Sequence, residues 1–245
     1  MNIFAQVSRY LTAGSNWSLG DSMSISARLL QHLQYTVLAL AIAAVIALPV
    51  GFYIGHTGRA AFVAINAGNA GRSLPTLGLL TFMVTLIGIG LVPAIIALVV
   101  LAVPPLLTNV YAGLRAVDPA AVDAARGMGM KGWQILFRVE CPMALPIMFS
   151  GLRNATLQVV ATATVAAYVG LGGLGRYLID GLALHDYVQV VSGAILVAVL
   201  AVVLDVVLSA IQRLVVSAGV TGRAATRRRR SAAAVVPSVA AIEVS

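Results

Sequence analysis

Apolar residues run in five long blocks, at about 35–54, 60–88, 93–114, 147–169 and 188–216, separated by shorter polar or glycine-rich stretches. Each block approaches or exceeds the roughly 20 apolar residues that carry a helix across a bilayer. The pattern therefore predicts an all-α integral membrane protein with about five transmembrane helices. Residues 1–34 form a mixed lead-in holding Tyr10, Trp17 and Arg28, without the apolar core and small-residue site of a cleaved leader. Residues 35–216 make up the membrane domain, and 217–245 form a basic, low-complexity tail expected to be disordered.

The blocks differ in their polar content. In the first, Pro49 is the one interruption, and Gly51 and Gly55 stand four apart, as a close helix–helix contact requires. The second carries Asn66, Asn69, Arg72 and Pro75 in its first half, which lipid tolerates only where protein or water satisfies them. Two readings of Arg72 stand side by side, a side chain that snorkels to the interface or one that lines a solute path. Pro93 opens the third block, and Pro104-Pro105 predict a kink or break, either a hinge or a static bend. The fourth is the most polar, with Arg153, Asn154, Thr156, Gln158, Thr162 and Thr164; these side chains line a wet path or join two subunits. Asp205 lies near the middle of the last block, where a carboxylate costs about 3 kcal/mol, so it needs a partner, as a gate contact or an interhelical hydrogen bond.

The interruption at 118–146 has its own punctuation. Asp118 suits an N-cap, Pro119 the first helical position and Gly129 a left-handed stop. Val117 and Val122 fall where a hydrophobic staple closes the first turn. Residues 132–139 predict a second short helix through Trp133, Leu136 and Phe137, ended by Pro142 and Pro146. The product is a helical hairpin outside the bilayer.

Within that hairpin, Asp123-Ala124-Ala125, then three residues to Gly129, then nine to Val139, followed by Cys141 and Pro142, resemble the EAA motif of permease subunits of ABC importers. Asp123 stands for the usual Glu, Val139 for Ile and Cys141 for Leu, while Ala124, Ala125, Gly129 and Pro142 match. Arg72–Leu77, Pro93–Leu98, Asn109–Leu114 and Gly170–Gly175 are similar to the osmoprotectant branch, so the likeness covers roughly 35–211. The resemblance implies a permease core with a cytoplasmic coupling-helix hairpin that docks on a separate ATPase through Asp123, Ala124, Ala125, Gly129, Val139 and Pro142. It implies two permease copies or a similar second chain, an extracytoplasmic solute-binding protein, and import of glycine betaine, choline or carnitine. Path-lining candidates are Arg72, Pro75, Asn154, Gln158, Thr162 and Asp205.

Composition agrees: 60% of residues are hydrophobic and 10% charged, with a mean hydropathy of +0.97, against about 25% charged in soluble domains. The single cysteine, Cys141, excludes an intramolecular disulfide or a multi-thiolate metal site and reads as a buried small residue. No G-x-x-x-x-G-K-[ST] loop occurs, and the Gly170–Gly175 cluster lies outside any strand–helix–strand unit. No cofactor is therefore expected on this chain, with ATP and Mg²⁺ on the partner ATPase. Much of the positive charge behind the net +8 is the tail, with Arg223 and Arg227–Arg230 contributing about half of the net, which suits a topology anchor and not nucleic acid. With five crossings and that tail inside, the turn at Arg59 and the 118–146 hairpin are cytoplasmic, and the 170–187 loop faces out. A multi-pass location in the cell membrane follows. An ion-coupled secondary transporter would show repeats and more mid-membrane ionisable groups, and a membrane enzyme would need clustered catalytic groups that the separated His32, His56 and His185 do not provide.

Overall fold

A computed structural model describes residues 2–18 and 21–216, all of its regular structure there being helical. The basic tail, including Arg223 and Arg227–Arg230, lies outside the described residues. A short helix, α1 (Ile3–Thr12), is closed by a 3₁₀ turn at Gly14–Trp17, where Trp17 Nε1 donates to the Leu11 carbonyl at 2.7 Å. The first long helix, α2 (Ile25–Thr57), is capped by Ser24 and ends at Gly58, whose φ of 70° suits glycine. It begins at Ile25 rather than near Tyr35. The early polar turns are helical because tertiary partners receive them: His32 is fully buried, and Gln31 bonds a distant loop.

The expected second span is two helices, α3 (Ala61–Ser73) and α4 (Thr76–Ile87). Pro75 forces Leu74 into an extended conformation, φ −71° and ψ 133°, which ends α3. Four helical stretches among the described residues are long and apolar enough to cross a membrane: 25–57, 91–115, 132–169 and 187–215. The stretch expected as a further span is thus two shorter helices, with α3 beside the later half of the next helix at Gly68 and Pro104, and α4 beside its first half through Leu79 and Leu80.

That next helix, α5 (Leu91–Arg115), is the hub of the fold. It passes through Pro104-Pro105 without a break, and Thr108 and Asn109 donate to the carbonyls of the two prolines, each at 2.8 Å. One face meets α2, where a Cβ added at Gly51 would stand 2.7 Å from Val110 and one at Gly55 2.6 Å from Leu114. The glycines let the backbones approach, as their spacing predicts. Ala39, Ala43 and Ala47 of α2 join Leu98, Ala102 and Leu106 of α5 in one core, completed by Ala155, Val159 and Ala163.

After α6 (Pro119–Gly127) the chain forms one helical rod from 132 to 169: α7 (Gly132–Ile135), a π turn at Leu136–Glu140, α8 (Cys141–Ala166) and a final 3₁₀ turn. Pro142 and Pro146 were expected to end a short second helix; instead the rod continues through both. Pro142 sits at the start of α8, directly after the π turn, where Cys141 N–H reaches back to the Leu136 carbonyl. The wide turn accommodates a ring that would otherwise strike the preceding turn. The 170–187 connection also contains an unforeseen helix, α9 (Gly175–Ala183), before α10 (Tyr187–Val215), which Asp186 caps through bonds from Val188 and Gln189.

Candidate functional site

The hairpin begins as its sequence dictates. Asp118 Oδ1 accepts the Ala120 N–H at 2.9 Å, Pro119 follows at the first helical position, and Gly129 turns the chain with φ +79°. The second arm opens with Gln134 accepting the Lys131 N–H at 2.7 Å. Within α6, Asp123 and Arg126 pair at 3.0 Å with both side chains mostly exposed, an interaction worth under about 1 kcal/mol. The two motif alanines face opposite ways: Ala124 is exposed and Ala125 is buried against its own chain. Exposed Asp123, Ala124, Arg126 and Met128 thus make the outward face of the hairpin. Val139 is half-buried and Pro142 exposed at the π turn that leads into the membrane.

The base of the hairpin is fastened in three ways. Val117 and Val122, the anticipated staple pair, join Val110, Leu114, Ala144 and Leu136 in an apolar cluster with Cys141, which is half-buried there. Phe52 meets Phe137 edge to face, centroids 6.0 Å apart. His56 Nδ1 donates to Glu140 Oε2 at 2.6 Å, with Glu140 only 7% exposed. Neither member of that last pair stands out in the sequence. His56 reads as part of a polar turn, and the two residues are 84 positions apart.

Within the membrane, Asn154, Gln158 and Thr162 recur every fourth residue and so share one stripe of α8. Asn154 is exposed and the other two half-buried, whereas Ala155, Val159 and Ala163 beside them enter the core. The polar stripe therefore faces away from this chain's own interior. Asp205 is set apart from it, held by Arg153 through two parallel bonds of 2.7 and 2.8 Å. Arg153 belongs to the same unit; the sequence marked both residues as polar within apolar blocks but did not pair them. Gln212 adds a second tie between α10 and α8, donating to the Pro146 carbonyl at 3.3 Å. Pro75 is exposed at the α3–α4 break; Arg72 lies in the last turn of α3, with its side chain outside the described residues.

At the opposite end, Gln31 accepts the Gly173 N–H at 3.0 Å, and His32 Nε2 meets the Val160 carbonyl at 3.1 Å. Gly173 has φ +80°, and a Cβ there would come 3.2 Å from His32 Nδ1. Tyr177 donates its hydroxyl to the Met23 carbonyl at 2.8 Å, and burial pushes that phenol above its usual range, keeping it a donor. The glycine cluster is thereby stitched to the first turns of α2.

The profile of binding-protein-dependent transport system inner membrane components matches residues 46–218. The glycine betaine/carnitine/choline transport system permease protein OpuCB of Bacillus subtilis (strain 168) is 35% identical over 192 residues, 78% of this chain and 88% of that protein. The osmoprotectant import permease protein OsmW of Salmonella typhimurium is 31% identical over 210 residues, 84% of this chain and 98% of that protein. Among solved structures, an inward-facing conformation of the MetNI methionine ABC transporter superposes with a TM-score of 0.70 and 26% identity, over 79% of this chain and 96% of the other.

Proposed function

Because the chain belongs to the family of binding-protein-dependent transport system inner membrane components, we propose that it is the permease subunit of an ATP-driven importer of quaternary-ammonium osmoprotectants such as glycine betaine, choline or carnitine. The observation that carries the solute class is the similarity, across 78% of the chain, to a permease named for those three compounds. The chain is a multi-pass component of the cell membrane and has a transport role.

The exposed face of α6 is the element that docks on a cytoplasmic ATPase, with ATP and Mg²⁺ held there. Ala124 lets the helix backbone press into a groove, and Asp123 is free to exchange its weak intrahelical partner for a cation across the interface. Closure of the ATPase displaces the hairpin, and α5 and α8 follow because they are its covalent continuations. The stripe of Asn154, Gln158 and Thr162 faces the water-filled path or a second permease copy, since polar groups at that depth need one or the other. Solute enters from an extracytoplasmic binding protein. Quaternary ammonium groups are commonly held in aromatic cages; with 6% aromatic residues in the chain, the selecting cage belongs to that partner.

The test is uptake of labelled glycine betaine after an osmotic upshift, in cells with and without the gene. Loss on deletion, restored by the wild-type chain and competed by excess choline, is expected. Unaltered uptake in a strain lacking other betaine importers would remove the osmoprotectant assignment. Rescue of methionine uptake instead would move the chain to an amino-acid system.

A further inference from the structure

We infer that the His56–Glu140 pair makes α2 move with the hairpin, so that the first long helix is a second route by which the ATPase end acts on the outer end. The inference rests on the reading that the hairpin docks an ATPase. Two of the helices around the hairpin must follow it: α5 ends just before it at Arg115, and the rod containing α8 begins within it at Gly132. No direct covalent connection joins α2 to it, since α3, α4 and α5 intervene. Whether α2 follows is decided by its packing on α5 and by its own contacts with the hairpin.

Those contacts suit a latch. Glu140 closes the π turn, and that turn presents its carboxylate to the last turn of α2. The carboxylate is buried and accepts from His56 Nδ1 at 2.6 Å, so separating the two would leave a carboxylate buried without its partner, which strongly opposes slippage. Phe52–Phe137 stands one helical turn away on the same face of α2, and Gly132 leaves room beneath the other ring nitrogen, where a Cβ would stand 3.4 Å from His56 Nε2. Beyond the latch, α2 is continuous for 33 residues, roughly 50 Å. Its far end holds the glycine cluster through Gln31, which accepts the Gly173 N–H, and meets α8 through His32 at the Val160 carbonyl. A displacement of the hairpin therefore reaches the Gly170–Gly175 loop along α2 as well as through α5, against which α2 packs.

His56 and Glu140 are thus positioning residues for transport. The test uses the full complex with its ATPase in nanodiscs, with Cys141→Ser and spin labels at Ser22→Cys, ahead of α2, and Lys131→Cys, on the hairpin. The distance between the labels should be a single distribution that is the same without nucleotide and with ATP and vanadate. In His56→Ala it should broaden or shift in one of the two states, and uptake per assembled complex should fall about tenfold. His56→Gln, which keeps a donor, should restore the distance and bring uptake to within about twofold of wild type. A purely structural role would lower the yield of complex and leave the distance of the surviving molecules unchanged; that result, or a wild-type distance that changes with nucleotide, overturns the inference. If the wild-type chain retains no ATPase at all, the docking reading fails and this inference fails with it, whereas retention with an unmoved His56→Ala distance sinks the latch alone.

Discussion

Helices α5 and α10 are nearly indistinguishable by hydropathy, at 2.5 and 2.9 over their most apolar windows, yet 67% of that window is buried within the chain in α5 and 6% in α10. The difference lies in side-chain size and in neighbours. α5 brings Ala94, Ala97 and Ala102 against other helices and receives Gly51 and Gly55 from α2. α10 turns Val199, Val202, Val203, Val206 and Val207 outward; it is held near its start by Gly193 against Tyr177 and Leu178 of α9, and farther on by Leu200, Gln212 and the Arg153–Asp205 pair. Apolar character buries a helix equally well in lipid or in protein. Small residues, and the few polar side chains that find partners, decide which of the two it meets.

The comparison can be broken most severely at α5. Gly51→Leu would drive a side chain into Val110, where a single added Cβ already stands 2.7 Å from Cγ1; overpacking of this kind costs about 3 kcal/mol or more. Little folded protein should be recovered, as read by fluorescence-detected size-exclusion chromatography. A normal monodisperse peak would show that α2 and α5 are not tightly joined.

The next largest effect is on α10. Asp205→Ala strands Arg153 and should lower the melting temperature, by less than a fully buried pair would because both side chains are about one-third exposed. Joint replacement, Arg153→Met with Asp205→Leu, should recover most of that loss in a thermal melt. Equal losses in the single and double variants would mean that the pair does not hold α10 to α8.

A functional contrast follows at the end of α5. Ala124→Glu with Gly129→Val should abolish uptake while the chain remains inserted, because a bulky charge enters the docking face and a β-branched residue meets φ +79°, a strain of order 1–3 kcal/mol local to the turn. Uptake at the wild-type rate per molecule would remove the hairpin from the coupling role. The smallest effect is expected for Val203→Leu on the outward face of α10, within about 0.5 kcal/mol. A larger loss in the melt would reveal a protein partner on that face rather than lipid.

Much of the hairpin was legible along the chain, because caps, turns and staples act over a few residues: Asp118, Pro119, Gly129 and the Val117–Val122 pair all occupy the places their chemistry suggests. The Gly51/Gly55 contact was legible for the same reason, being a spacing of four. Less visible were the start of α2 at Ile25, the split at Leu74-Pro75, the rod running through Pro142 and Pro146, and helix α9. In each of these a local signal was overridden or supplemented by a distant neighbour or by a turn of unusual width. That Asp205 needs a partner was legible, but which residue supplies it was not, and the His56–Glu140 pair was not legible at all, since the two pairs are separated by 52 and 84 positions.

By itself, then, the sequence determined that this chain lives in a membrane, about how many times it crosses, and where it exposes a hairpin to water, because transfer from water and capping depend on residues close together in the chain. Only the tertiary structure decided that α5 is the hub and α10 the rim, that Asp205 is paired with Arg153, and that α2 is tied to the hairpin by Glu140. These outcomes depend on which surfaces meet at close range, and hydropathy does not distinguish a helix that faces lipid from one that faces protein.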